Sequence, residues 1–232
     1  MLGTVKICGL STAASLEAAL AAGADMVGLV FFPKSPRHVS LAEARALAGQ
    51  ARGRAKIVAL TVDADDRLLE EIVAAATPDL LQLHGRETPA RVAAIAERFG
   101  AATIKAIGVS SAGDLAAAKP YAGAAAMMLF DAKPPKDANL PGGNGLAFDW
   151  RLLAGFANEL PYLLSGGLTP DNVGEAIALS GAKGVDVSSG VESAPGVKDN
   201  DKIAAFVARA RAAFAAQETK SAASERLAGR VA

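Results

Sequence analysis

Three residues in this sequence stand where a reactive group is costly to keep without a task. Cys8 ends the run Val5–Cys8 and is followed by Gly9. Asp131 follows the apolar stretch Met127-Met-Leu-Phe130. Asp186 lies between Val185 and Val187, and a carboxylate among apolar residues is expensive unless it is paired or hydrogen-bonded. A thiol whose surroundings lower its pKa serves as a base or a nucleophile. A carboxylic acid held at an apolar strand end has its pKa raised and serves as a proton donor. Facing each other over a small substrate, Cys8 and Asp131 would move a proton between adjacent carbons. The bland alternatives are a small buried apolar residue for Cys8, and a helix cap or a loop carboxylate pairing with Lys133 for Asp131.

Around these groups stand residues suited to anions. Arg37 lies in the loop Pro33-Lys-Ser-Pro-Arg-His38, stiffened by two prolines. Its guanidinium would bind a carboxylate in a bidentate fork, or serve as a solvated loop charge. His84, in Gln82-Leu-His-Gly85, is a proton shuttle, a substrate hydrogen bond or a structural hydrogen bond at a strand end. Two Ser/Gly turns come late in the chain, Leu164-Ser-Gly-Gly-Leu168 and Ser188-Ser-Gly-Val191. Two such turns in succession, each between a strand and a helix, suit a phosphate cradled by backbone N–H groups. Gly166, Gly167, Ser189 and Gly190 are the residues expected at that phosphate. Two tight turns with glycine for geometry alone are the alternative. Lys133 and Lys136 would attract an anionic substrate or be solvated. One cysteine and two histidines make no convincing metal-ligand set, so no metal is expected.

The elements that must position these residues recur as strand and helix. Strands are expected over Val5–Cys8, Met26–Phe32, Lys56–Val62, Leu80–His84, Thr103–Gly108, Ala124–Asp131, Tyr162–Ser165 and Val185–Val187. Helices are expected over Thr12–Ala22, Leu41–Gln50, Asp66–Ala76, Pro89–Phe99, Ala112–Ala118, Trp150–Ala154, Pro170–Leu179 and Asn200–Phe214, with Ser40 and Thr88 among the caps. Eight βα units of even spacing point to an α/β chain folded as a single (β/α)8 barrel of eight parallel strands with outer helices. A doubly wound sheet is the rival, but its glycine fingerprint would follow the first strand. A barrel carries its active site at the C-terminal ends of its strands, where Cys8, Arg37, His84, Asp131, Asp186 and both late turns fall. The barrel is expected to occupy residues 1–214. The polar tail 215–232 reads as frayed helix or disorder. The loop Ala132–Gly145 is long for a βα connection and suits a lid.

At 232 residues, 51% of them apolar, the chain can bury a large core. Lys+Arg and Asp+Glu both number 24, which gives no electrostatic case for nucleic acid or an anionic membrane. A lone cysteine excludes an intrachain disulfide. No apolar run is long enough to span a membrane, and the first residues do not read as a signal peptide. A soluble cytoplasmic protein is the expectation.

The stretches Val5-Lys-Ile-Cys-Gly9, Phe32-Pro-Lys-Ser-Pro-Arg37, Gln82-Leu-His-Gly85, Leu129-Phe-Asp131, Leu164-Ser-Gly-Gly-Leu168 with Pro170-Asp-Asn-Val173, and Val185-Asp-Val-Ser-Ser-Gly-Val-Glu192 together resemble the phosphoribosylanthranilate isomerases. These are (β/α)8 enzymes of tryptophan synthesis. The resemblance covers about Val5–Phe214 and implies an Amadori rearrangement of N-(5-phosphoribosyl)anthranilate. It implies Asp131 as general acid and Cys8 as general base. Arg37 would sit on the anthranilate carboxylate, and His84 and Asp186 would contact the substrate. The phosphate would lie on Gly166, Gly167, Ser189 and Gly190. No metal or organic cofactor is implied, because the protonated imine is its own electron sink. The partner is a small phosphosugar, and a monomer or homodimer is expected. A dual-substrate isomerase that also takes the equivalent histidine-pathway sugar would carry an aspartate as the strand 1 base. A non-catalytic phosphosugar-binding barrel would keep the turns and lose the acid–base pair.

Overall fold

Apolar runs with no polar face belong in a sheet covered on both sides. The second strand, Met26–Phe31, is buried along its whole length. In the computed structural model, which describes residues 3–134, 140–156 and 160–228, eight such strands close into a parallel barrel in chain order. They are β1 (Thr4–Cys8), β2 (Met26–Phe31), β3 (Lys56–Thr61), β4 (Leu80–Leu83), β5 (Ala102–Val109), β6 (Met127–Ala132), β7 (Tyr162–Leu164) and β8 (Gly184–Val187). The seam closes where β1 pairs with β8, from Thr4 opposite Gly184 to Ile7 opposite Val187. A doubly wound sheet has open edges, so the closed order sets that rival aside.

The helices start where side chains can satisfy their free N–H groups. Thr12 caps α1 (Ala13–Ala21), Asp65 caps α3 (Asp66–Ala76), and Thr88 caps α4 (Pro89–Phe99) with proline in its first turn. Ser40 and Glu43 form a reciprocal capping box on α2 (Leu41–Ala51). The fifth expected helix is shorter than its pattern suggested. α5 covers only Ala112–Leu115, then tightens into a 3-10 turn over Ala116–Tyr121 that contains Pro120. Proline has no N–H to continue an α-helical ladder. The stretch near Trp150 is likewise a 3-10 turn, Trp150–Leu153.

Helix α6 (Val173–Ser180) starts later than the expected Pro170. The reason is Asn172, whose side chain ties the turn after β7 rather than capping the helix. Its amide nitrogen donates to the Gly167 carbonyl at 2.9 Å and its oxygen accepts from Thr169 N–H at 2.7 Å. An antiparallel hairpin of β9 (Glu192–Ala194) and β10 (Val197–Lys198) stands between β8 and the last helix, and sequence patterning did not foresee it. Helix α7 spans Asn200–Ala228, so the segment read as frayed helix or disorder is helical to Ala228.

Two cores result. Inside the barrel, Met26, Val58, Leu80, Ile104, Ala106, Leu129 and Leu163 form an apolar plug. Between barrel and helices lies a larger cluster, to which α7 adds Phe206 and Phe214. The plug fills the barrel with apolar packing, and the Lys6–Asp186 pair stands beside it, Lys6 in register with Met26. Among the described residues no helix is long and apolar enough to cross a membrane.

Candidate active site

Strand alternation sends every second side chain into the barrel. On β1 these are Lys6 and Cys8, two residues apart. On β8 the inward residue is Asp186, the register partner of Lys6. Lys6 is fully buried, and its Nζ meets Asp186 Oδ1 at 2.7 Å. The other Asp186 oxygen accepts from Ser165 Oγ at 3.3 Å. The carboxylate inside the apolar run therefore has a partner across the barrel seam. Burial pushes the Lys6 ammonium down, but the charges of Asp186 and Cys8 outweigh it and hold Lys6 above its ordinary value. For Cys8, burial dominates and pushes the thiol up, against the pull of Lys6 and Lys198. Gly28 on β2 leaves room for the sulfur, since a Cβ there would lie 2.8 Å from Cys8 Sγ.

Asp131 projects inward from β6 and is 6% exposed. Its Oδ2 lies 3.5 Å from His84 Nε2, and its Oδ1 accepts from the Ala132 N–H at 2.9 Å. Gln82 Nε2 sits 3.1 Å from His84 Nδ1. An amide N–H donating to Nδ1 leaves the ring proton on Nε2, directed at Asp131. Lys133, the alternative partner of Asp131, instead binds Asp114 at 2.8 Å. Lys136 lies outside the described residues.

Arg37 is buried, not solvated. Its Nε and Nη2 donate to the two carboxylate oxygens of Glu192 at 2.7 and 2.9 Å. Lys198 Nζ donates to Glu192 at 2.9 Å, to the Ser188 carbonyl at 2.8 Å and to Ser188 Oγ at 3.3 Å. Burial pushes the Glu192 carboxyl up, but the Arg37 hydrogen bonds and the Lys198 charge outweigh it and hold it below its ordinary value.

The two late turns meet. Gly166 and Gly167 follow β7 with φ of +87° and +65°, a left-handed conformation that glycine adopts freely. Gly190 lies so close to the first turn that a Cβ would fall 1.8 Å from the Leu168 carbonyl oxygen. Overhead, residues 140–145 lie over the site. A Cβ on Gly142 would stand 2.5 Å from Asp131 Oδ2 and 2.6 Å from His84 Nε2. One cavity of about 690 Å³ is lined by Cys8, Arg37, His84, Asp131, Gly166, Gly167, Asp186, Ser189 and Gly190, with Leu140–Gly145 as its roof. Cys8, Arg37, His84, Asp131, Asp186 and both late turns thus line one cavity, and Lys133 does not. Lys6, Gln82, Glu192 and Lys198 were given no role there. Lys6 carried a readable signal, a charge two residues from Cys8 on an inward face. Glu192 and Lys198 carried none, because a hairpin of irregular register brings them together.

Residues 5–209 match the family model for N-(5'-phosphoribosyl)anthranilate (PRA) isomerase. The chain belongs to the phosphoribosylanthranilate isomerase family. A curated N-(5'-phosphoribosyl)anthranilate isomerase of Rhodopseudomonas palustris is 60% identical over 215 residues, which cover 93% of this chain and 97% of the relative. One from Nitrobacter hamburgensis is 61% identical over 209 residues, covering 90% and 93% respectively. The crystal structure of phosphoribosylanthranilate isomerase from Thermotoga maritima superposes with a TM-score of 0.82 at 35% identity, covering 91% of this chain and 100% of that one. A phosphoribosylanthranilate isomerase solved with reduced 1-(o-carboxyphenylamino)-1-deoxyribulose 5-phosphate gives 0.79 at 34% identity, with the same coverage.

Proposed function

We propose that this chain catalyses the isomerisation of N-(5-phosphoribosyl)anthranilate to 1-(2-carboxyphenylamino)-1-deoxyribulose 5-phosphate, the family's step in tryptophan biosynthesis, with Asp131 as general acid and Cys8 as general base. The observation that carries this reading is the placement of Cys8 and Asp131, from non-neighbouring strands, in the wall of one cavity. Asp131 gives its proton to the furanose ring oxygen. The bond from C1 to that oxygen breaks, and the anthranilate nitrogen lone pair forms a protonated Schiff base. The Asp131 carboxylate left behind accepts the His84 Nε2 proton as a hydrogen bond. Cys8, as thiolate, takes the proton from C2. The C–H electrons form the C1–C2 double bond, and the imine electrons return to nitrogen. The enolamine then loses its O2 proton and gains one at C1, giving the ketone. Electrons balance within the substrate, so no external oxidant or reductant enters.

The substrate's ends select its orientation. Gly166, Gly167, Ser189 and Gly190 supply the phosphate cradle, and Arg37 faces the anthranilate carboxylate. Asp186 contacts a sugar hydroxyl. Anchoring both ends holds C2 over the thiol, which is how remote binding energy lowers a barrier. The protein works in the cytoplasm as a monomer or homodimer; a Thermotoga maritima relative is described as dimeric and was also crystallised as monomers. The test is the loss of anthranilate fluorescence on adding freshly made phosphoribosylanthranilate. Cys8→Ala and Asp131→Asn should each lower kcat by about 10²–10⁴-fold with unchanged circular dichroism. Near-normal turnover in either variant removes that residue from the mechanism.

A further inference from the structure

Arg37 has most of its hydrogen-bonding fork already occupied. Glu192 takes Nε and Nη2 in a buried bidentate pair at 2.7 and 2.9 Å. The Gly143 carbonyl lies 3.4 Å from Nη2. Among the described residues Nη1 donates to none, and it points toward the roof loop, where a Cβ on Gly143 would stand 2.8 Å away. The guanidinium is therefore fixed in rotation, with one free edge at the cavity.

With the neighbouring Cys8 thiol neutral, its major form near neutral pH, the charges around Arg37 leave one positive charge unbalanced. Arg37 and Lys198 are positive and Glu192 is negative, and all three side chains are at most 7% exposed. Three acceptors meet Lys198 Nζ: Glu192 Oε1, the Ser188 carbonyl and Ser188 Oγ. An ammonium has three protons to donate and a neutral amine two, so this environment fits the charged form even though burial pushes Lys198 down. Lys202 also reaches the Glu192 backbone carbonyl at 2.8 Å, but it is exposed and screened by solvent. A buried cluster one positive charge in excess is complementary to one monoanion.

We infer that Glu192 and Lys198 are positioning residues, which hold Arg37 with Nη1 toward the cavity and make that end of the site selective for a carboxylate. The inference rests on the reading of Arg37 as the receptor for the substrate carboxylate. Glu192 supplies orientation, because its two oxygens lock the planar fork. Lys198 supplies the charge excess, because without it the Arg37–Glu192 pair is neutral. Lys198 also ties the cluster to the Ser188 carbonyl, next to the proposed phosphate turn at Ser189 and Gly190.

The experiment is calorimetric titration of the full chain with two probes. One is reduced 1-(o-carboxyphenylamino)-1-deoxyribulose 5-phosphate, the compound bound in a solved relative. The other is its phenylamino counterpart, which lacks the carboxylate and keeps the phosphate. The unmodified chain should prefer the carboxylate probe by about 10- to 100-fold. Glu192→Asp keeps the charge but shortens the reach, and Lys198→Met removes the charge. Each should cut that preference by about tenfold or more while the phenylamino probe binds as before. Lys198→Arg should restore most of it. A preference that survives both Glu192→Asp and Lys198→Met overturns the inference, as does an equal loss for both probes, which would mark a structural role. If Lys198→Met does not fold, Glu192→Asp decides alone. An unmodified chain with no preference removes the Arg37 reading itself, and the inference with it.

Discussion

The Cys8 thiol is worked on by opposing forces. Burial favours the neutral form and pushes its pKa up, and Asp186 adds to that push. Lys6 and Lys198 oppose it. A thiol proposed as base in the barrel interior must be stripped of water and still become an anion, and neighbouring ammonium groups favour that form. The sign of the pH dependence follows. With the thiol raised, the thiolate is the minor form near neutral pH, and its fraction grows as pH rises. The rate through Cys8, measured as kcat/KM, should therefore climb between about pH 6 and 9. Lys6→Met should move that limb to higher pH. Because Cys8 is the only cysteine, ultraviolet thiolate absorbance would report its titration directly. A flat profile across that range, or an absorbance change indifferent to Lys6, would remove the thiolate from the chemistry.

Strands place the proposed reacting groups, and a small residue on the neighbouring strand makes room for one of them. Gly28 on β2 lies opposite Cys8 in the β1–β2 register. A Cβ there would meet Cys8 Sγ at 2.8 Å and Cys8 Cα at 3.1 Å. Both the sulfur and the backbone would have to give way. Gly28→Ala should therefore displace the thiol and lower kcat by about tenfold or more, since small misplacements of a reacting group are costly. Overpacking should destabilise the fold by about 1–3 kcal/mol. Turnover and urea unfolding of the variant would check both halves. An unchanged kcat would show that the thiol position does not limit the reaction. Strands, caps and late turns follow from local pattern, and β1 to β4 and α1 to α4 lie within two residues of their expected bounds. α5 and the start of α6 depart from their expected bounds. There a proline and an asparagine side chain reshaped the backbone in ways that apolar period does not encode.

At the scale of the whole molecule, the barrel is closed through a charge. Lys6 on β1 and Asp186 on β8 meet at 2.7 Å across the seam between the first strand and the last. Truncating one partner leaves the other buried and unpaired. Asp186→Ala should accordingly destabilise the fold by about 3–5 kcal/mol in denaturant unfolding. A change below about 1 kcal/mol would show that water or another group compensates Lys6. The same pair stands beside the thiol, so closure of the sheet and the charge environment of Cys8 share one interaction.

The sequence by itself determined the number of βα units, the barrel, and the strand ends at which chemistry would collect. These follow from apolar runs, caps and glycine turns, whose causes are local along the chain. Cys8, Asp131, Arg37, His84 and Asp186 were legible because each breaks a pattern at a strand end or in a stiff loop. Only the tertiary structure decided which charges are shared. Arg37 is held by Glu192, Glu192 by Lys198, and Asp186 by Lys6, over separations of 155, 6 and 180 residues. Such pairs depend on which strands become neighbours and on how an irregular hairpin folds back. No periodicity along the chain records that.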